Sequence, residues 1–198
     1  MGELVKVREE LPQLLKSKGL NGIGVEVGVA RGDFSSHILK NWDGKKLYMV
    51  DAWRYFEGVE DINNGNPNEQ LDNFAHCFMN TYNYGERAVI FRELSIEAAK
   101  FFSNESLDFV YIDASHDYMN MCKDIEAWYP KVKKGGIFAG HDYLDGVVLL
   151  SYDDPATIPE SRKGHIGVKS AVDQFAKFYN YTVNVTEEPV IPSWWIEL

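Results

Sequence analysis

The sequence predicts an α/β domain built on a mostly parallel sheet. Three observations lead there. Short, predominantly apolar runs alternate along the chain with stripes at helical spacing, the order expected when strands and helices alternate. Runs such as Leu107–Ile112 carry apolar residues at successive positions, as strands covered on both faces do. With 198 residues, 45% of them hydrophobic and 25% charged, the chain has ordinary globular usage and can bury a core of one domain's size. The expected unit is a single domain over 1–198, with 1–20 as an N-terminal helical extension.

The elements follow in order. Leu4, Val7, Leu11, Leu14 and Leu15 mark one helix face, with Pro12 a kink or break and Gly19 and Gly22 ending the segment. Ile23–Val29 reads as the first strand, and Phe34, Ile38, Leu39 and Trp42 as the next helix. Leu47–Val50 is a second strand that ends at Asp51, and the polar, Asn/Gly-rich stretch 52–67 is a loop. Leu71, Phe74, Ala75, Phe78 and Tyr82 give a helical stripe expected to face the core. Ala88–Phe91 is a third strand, with a short helix around 96–102. Leu107–Ile112 is the fourth, closed by Asp113; a helix from Tyr118 to Tyr129 stops at Pro130. Gly135-Gly136 reads as a turn, and Ile137–Ala139 as a fifth strand running into Gly140-His141-Asp142. The stretch 144–164 has no periodicity and is a long loop, a length that usually signals function. Val168, Ala171, Val172, Phe175 and Tyr179 form the last helix, and 182–185 and 194–198 the last strands, with Trp194-Trp195 as packing residues.

Composition excludes several function classes. The formal net charge is −10 and no Lys/Arg-rich block interrupts it, so a nucleic-acid partner is not expected. No apolar run reaches the ~18–20 residues of a membrane span, and the N-terminus lacks the apolar stretch of a secretory signal. The two cysteines, Cys77 and Cys122, have no metal-ligand spacing and fit a reduced, cytoplasmic setting.

In open parallel sheets, ligands sit beyond the carboxyl ends of the strands. The first strand ends in Glu26-Val27-Gly28-Val29-Ala30-Arg31-Gly32, the pattern E-x-G-x-x-x-G. Its glycines let the backbone turn tightly and approach a ligand. It is not the G-x-G-x-x-G dinucleotide fingerprint, and a turn bearing a carboxylate suits a ligand without pyrophosphate. Asp51, at the end of the second strand, is placed to accept hydrogen bonds from ribose hydroxyls. Trp53 either packs on an adenine or caps the core. Ser95 is a contact for the adenine amine or, more simply, a helix N-cap. The fourth and fifth strand ends each set Asp beside His, in Asp113-Ala114-Ser115-His116-Asp117 and His141-Asp142. Asp113, His141 and Asp142 can converge to hold a divalent ion such as Mg²⁺ or Mn²⁺. Alternatively, a histidine there is a general base. His37 and His76 read as structural, while His165 is a candidate to face the substrate.

At these residues the sequence resembles the class I S-adenosylmethionine (SAM)-dependent methyltransferases. Val25–Gly32 is similar to their first motif, Asp51 to their second-strand acid, and Tyr111–Tyr118 to their fourth-strand motif. Lys134–Tyr143 looks like their Gly-Gly turn and fifth strand, and Gly167–Asp173 like the helix that follows in a compact subgroup near the catechol-type and macrolide-sugar O-methyltransferases. The resemblance covers roughly residues 20–198. It implies a Rossmann-like, seven-stranded, mostly parallel sheet with helices on both faces and one antiparallel strand in the last pair. It implies SAM as cofactor, with Glu26, Gly28 and Gly32 along the methionine, Asp51 on the ribose, and Ser95 and Asp113 along the adenine and methyl-donor side. Metal-dependent relatives hold Mg²⁺ on carboxylates after strands four and five. Here those positions are Asp113 and the pair His141-Asp142, so a histidine stands where a carboxylate is usual.

The expected reaction is therefore methyl transfer to a hydroxyl of a small metabolite or sugar. His141 is the first choice as base, Asp142 its orienting partner or a metal ligand, and 144–164 a lid. Two rivals stand beside it: an NAD(P)-dependent oxidoreductase on a similar sheet, and a non-catalytic SAM- or nucleotide-binding protein. The N-terminal helix either mediates a homodimer or covers its own sheet.

Overall fold

A computed structural model describes residues 5–58, 64–148 and 164–198. Seven strands form one sheet in the order β3-β2-β1-β4-β5-β9-β8, where β1 is Ile23–Val27, β2 Lys46–Asp51, β3 Ala88–Arg92, β4 Leu107–Ile112, β5 Val132–Gly140, β8 Asn184–Val185 and β9 Trp194–Glu197. The first five run parallel, and β9 is antiparallel to both neighbours. This is the expected Rossmann-like architecture. Strand order reverses direction at β1, which opens a crevice between the carboxyl ends of β1 and β4.

Each face of the sheet carries its own core. On one, Val25, Val27, Val110, Ile112 and Phe138 pack against α4 (Ser95–Ala99), α5 (Tyr118–Trp128) and α6 (Val168–Tyr179) through residues such as Ala98, Ile125 and Val172. On the other, Leu47, Met49, Phe109 and Tyr111 meet α1 (Leu11–Ser17), α2 (Asp33–Asn41) and α3 (Pro67–Thr81) through Leu15, Ile38, Trp42 and Cys77. All six residues of β4 are buried, the double coverage that its apolar run implies. Asp108 is the one acid in that strand. It accepts the N–H of Gly22 and pairs with Lys133 at 2.6 Å, so its burial leaves no bare charge.

Several boundaries and faces differ from the periodicity. Pro12 stands in the first turn of α1, where its missing N–H costs nothing, and the segment before it is a 3₁₀ turn at Arg8–Glu10. Gly135 and Gly136 lie inside β5: pairing jumps from Leu107↔Val132 to Phe109↔Ile137, so the glycines form an excursion within the strand. The start and end of the 144–164 stretch are strands, β6 (Asp145–Val148) and β7 (Gly164–Gly167), paired antiparallel; 149–163, the rest of the expected lid, lies outside the described residues. Most of the stripe on α3 points outward, while Phe74 packs on Trp53. Leu71, Phe78 and Tyr82 are exposed, whereas Gln70, Cys77 and Thr81 are buried. Spacing located that helix but not its inner face, because beside Cys77 the buried positions are polar groups bonded to main-chain carbonyls, Thr81 to Cys77 and Gln70 to Asn64.

Candidate functional site

The sheet register sets the site. Val50, Val27 and Ile112 pair across β2, β1 and β4, and Ile112 pairs with Gly140 of β5. The next residue in each chain is Asp51, Gly28, Asp113 and His141. Four strand ends thus deliver these residues to one row at the mouth of the crevice.

Gly28 turns the chain there with φ of +86°, and a Cβ on it would stand 1.9 Å from the Asp113 carbonyl oxygen. Only glycine allows β1 and β4 to approach this closely. Gly32, with φ of +75°, is the N-cap of α2 and packs on Cys77; it supports the turn from behind. Asp51 ties the turn down. Its Oδ2 accepts the N–H groups of Val29 at 3.0 Å and Ala30 at 2.9 Å, and its Oδ1 accepts that of Trp53 at 2.8 Å. Ala30 and Trp53 have φ of 46° and 40°, and the Trp53 indole donates to the Ala30 carbonyl at 2.7 Å. Trp53 is fully buried, which settles it as a core cap.

These residues border a cavity of about 730 Å³, within the range of ligand pockets, lined among others by Glu26, Gly28, Asp51, Ser95 and Asp113. Five of the six residues expected to bind cofactor therefore share one cavity. Glu26 is 2% exposed and accepts the hydroxyl of Ser35. Burial pushes its carboxyl up to about 8, against the hydrogen bond from Ser35. At the far end Ser95 is not a cap: the N-cap of α4 is Leu94, with no side-chain hydrogen bond. The Ser95 hydroxyl donates to Asp124 and accepts the Trp128 indole N–H at 2.9 Å. Asp124 also lines the cavity, and burial raises its carboxyl to about 6.

Beyond Asp113 lies the histidine–aspartate group. Single ligand atoms of Asp113, His141 and Asp142 all lie within 4.8 Å of one another. His141 Nδ1 is 3.1 Å from Asp142 Oδ2, a hydrogen bond, and 3.7 Å from Asp113 Oδ1. Asp142 is 5% exposed and holds φ of 52°, a left-handed conformation that aspartate tolerates. His116 joins them: its Nε2 is 3.1 Å from Asp142 Oδ2 and 3.7 Å from Asp113 Oδ1, ion-pair distances without a formed hydrogen bond. Burial opposes charge on His116, but the two carboxylates outweigh it and raise its pKa to about 10. Burial likewise opposes charge on Asp142, and the two imidazoles outweigh it and lower its pKa. Asp117 takes no part; it caps α5, accepting the N–H of Asn120 at 3.0 Å.

The side chain of His165 lies outside the described residues. His76 is exposed on α3 and bonds the Asp72 carbonyl, and His37 bonds the Glu9 carbonyl, both structural as expected. Sequence reasoning missed Arg8. It reaches the cavity from the N-terminal segment, 4.9 Å over the Phe34 ring and 3.5 Å from Asp113 Oδ2. No motif marks it. Asp124 was missed too, since an acid inside an α5 stripe reads as a solvated position.

Comparison with known proteins agrees with this geometry. A family model described as "Methyltransferase domain" matches residues 25–143, more than half of the chain. No curated protein matches at a significant level. Among solved structures, a Staphylococcus aureus protein assigned as a caffeoyl-CoA O-methyltransferase is similar at a TM-score of 0.63 and 17% identity, over 95% of this chain and 81% of that one. An O-methyltransferase from Bacillus cereus, solved in complex with SAH, has a TM-score of 0.58 and 14% identity over 96% and 80%. Spermidine synthase from Thermotoga maritima has a TM-score of 0.57 and 15% identity over 96% and 58%. At these identities the likeness is one of fold. The family model covers the turn after β1, Asp51, Asp113, His141 and Asp142, and the chain belongs to the methyltransferase-domain family.

Proposed function

We propose that the protein uses SAM to methylate a hydroxyl of a small acceptor, a sugar or similar metabolite. One observation carries the reading. The cavity that holds Glu26, Gly28 and Asp51 also holds Asp113, whose other carboxylate oxygen faces the His141–Asp142 pair. A nucleoside site and a proton-accepting site thus share a wall. The cavity fits the cofactor by volume, by its close backbone approach at Gly28 and by its acids. After its three main-chain bonds Asp51 keeps one lone-pair site, on Oδ1, for a ribose hydroxyl. Asp124 and Ser95 border the end suited to the base.

Bound SAM supplies a sulfonium methyl already activated for attack, so the chain's task is alignment and proton removal. Asp142 accepts the hydrogen bond of His141 Nδ1–H, which leaves Nε2 with a free lone pair to take the acceptor's proton. Charged His116 beside Asp142 offsets the negative charge of the carboxylates. A second reading is favoured by the same cluster: Asp113, His141 and Asp142 are a donor set for a divalent cation such as Mg²⁺ or Mn²⁺, which would lower the acceptor's pKa. The two readings compete for His141, because a ring-nitrogen lone pair that binds a metal is not free to take the acceptor's proton. The chain is expected in the cytoplasm; no described helix is long and apolar enough to cross a membrane.

Parallel calorimetric titrations with SAM, SAH and NAD(H) test the cofactor. Binding of SAM and SAH without NAD(H) is expected; binding of NAD(H) alone would overturn the reading in favour of an oxidoreductase. Full SAM affinity with no methyl transfer across a panel of hydroxylated acceptors would point to a non-catalytic binder. Activity after chelation separates base from metal.

A further inference from the structure

We propose that Arg8 recognises the α-carboxylate at the amino-acid end of the cofactor, and that Asp113 Oδ2 beside it takes the α-ammonium. The inference rests on the SAM reading above and adds to it a residue that no motif contains.

The amino-acid end of SAM carries a carboxylate and an ammonium on one carbon. A site that recognises it needs a cation and an anion side by side. Three cationic side chains line the cavity among the described residues, Arg8, Arg31 and Arg54. Arg31 and Arg54 are exposed, and the Arg54 guanidinium is engaged 4.9 Å over the Phe56 ring. Arg8 is half-buried, seated on the Phe34 ring, with Nη1 3.5 Å from Asp113 Oδ2. This ion pair is the side-by-side arrangement that a zwitterion matches. Asp113 also divides its oxygens: Oδ2 faces Arg8, and Oδ1 faces His116 and His141. One carboxylate therefore serves the cofactor on one side and the proton-accepting group on the other.

The position of Arg8 does not depend on its own side chain. Its N–H donates to Glu188 Oε1 at 2.5 Å, the Glu187 N–H donates to the Lys6 carbonyl at 2.6 Å, and the Glu9 carbonyl meets His37 Nε2 at 2.8 Å. The main chain is strapped to the segment before β9 and to α2. Replacing the guanidinium removes the charge and leaves the strap.

The test compares two ligands on wild type, Arg8→Gln and Arg8→Lys by calorimetry: SAH, and 5′-methylthioadenosine, which lacks the amino-acid end. Losing a hydrogen bond between charged groups predicts a roughly 10- to 100-fold weaker affinity of Arg8→Gln for SAH. Affinity for 5′-methylthioadenosine should stay within about two-fold, and Arg8→Lys should recover part of the loss. Unchanged SAH affinity in Arg8→Gln overturns the assignment, as does equal weakening of both ligands, which would make Arg8 structural. A wild type that binds both ligands equally overturns the role of Arg8 but keeps the nucleoside site. A wild type that binds neither overturns the SAM reading itself.

Discussion

Asp51→Ala probes whether the second-strand acid is a ligand group only or also a structural one. The carboxylate accepts three main-chain N–H groups at 3.0, 2.9 and 2.8 Å, from Val29, Ala30 and Trp53. Hydrogen bonds to a charged acceptor contribute about 1.5–3 kcal/mol each when shielded. Asp51 is half-buried on a cavity wall, so water can re-solvate part of what is lost, and roughly 1 kcal/mol per bond is the appropriate scale. Ala30 and Trp53 would relax from their positive φ once released, which returns some of that energy. The net expectation is a loss of about 2–3 kcal/mol, large against a typical total of ~5–15 kcal/mol yet short of unfolding. Asp51→Asn keeps one oxygen as acceptor and should lose about half as much. Urea unfolding with unchanged m measures this, and SAH titration of the same variants measures the ligand role. A stability loss under about 0.5 kcal/mol in Asp51→Ala would refute the structural role, leaving the carboxylate a ligand group alone.

Three further perturbations address the same wall. Gly28→Ala sets a Cβ 1.9 Å from the Asp113 carbonyl at φ of +86°, so it should cost more than ~3 kcal/mol or prevent folding; wild-type stability by thermal melt would contradict the close approach of β1 and β4. The Glu26 carboxyl rises from 4.5 to about 8, so the folded state holds a proton that the unfolded state releases between those values. Stability should therefore fall with rising pH across that window by up to ~1.4 kcal/mol per unit. Glu26→Gln should flatten the slope, and an unaltered slope in urea unfolding from pH 5 to 8 would exclude Glu26 as its source. His141→Ala should lower turnover by roughly 10²–10⁴-fold while leaving SAH affinity near wild type; a matching drop in affinity would move His141 from the acceptor side to the cofactor side.

Most of the fold was legible in the sequence because parallel strands covered on both faces announce themselves: Leu107–Ile112 and its closing Asp113 match β4 residue for residue. The strand-end rule then located Asp51, Asp113 and His141, since position along a strand is local information. What was illegible is set by tertiary contacts. The inner face of α3 carries Cys77 and the hydrogen-bonded Gln70 and Thr81, and of the apolar stripe Phe74 packs against the core. Ser95 serves Asp124 and Trp128, 29 and 33 residues away, so its part in a buried network has no local signature. Arg8 is carried to the cavity by contacts with Glu188, 180 residues distant.

The same distinction bears on function. Spermidine synthase from Thermotoga maritima shares the sheet, so the sheet and its nucleoside-sized crevice do not by themselves select the group transferred. Selection has to come from what stands around the reacting centre, and in the proposed function that is Asp113. Its Oδ2 is paired with Arg8 from the N-terminal segment, and its Oδ1 faces His116 and His141, with Asp142 joined to both histidines. In the proposed function, cofactor recognition at Arg8 and proton removal at His141 meet at a single side chain, Asp113. That shared position makes Asp113 the residue whose replacement by Asn should weaken SAH binding and turnover together, whereas changes at Arg8 and His141 should separate them.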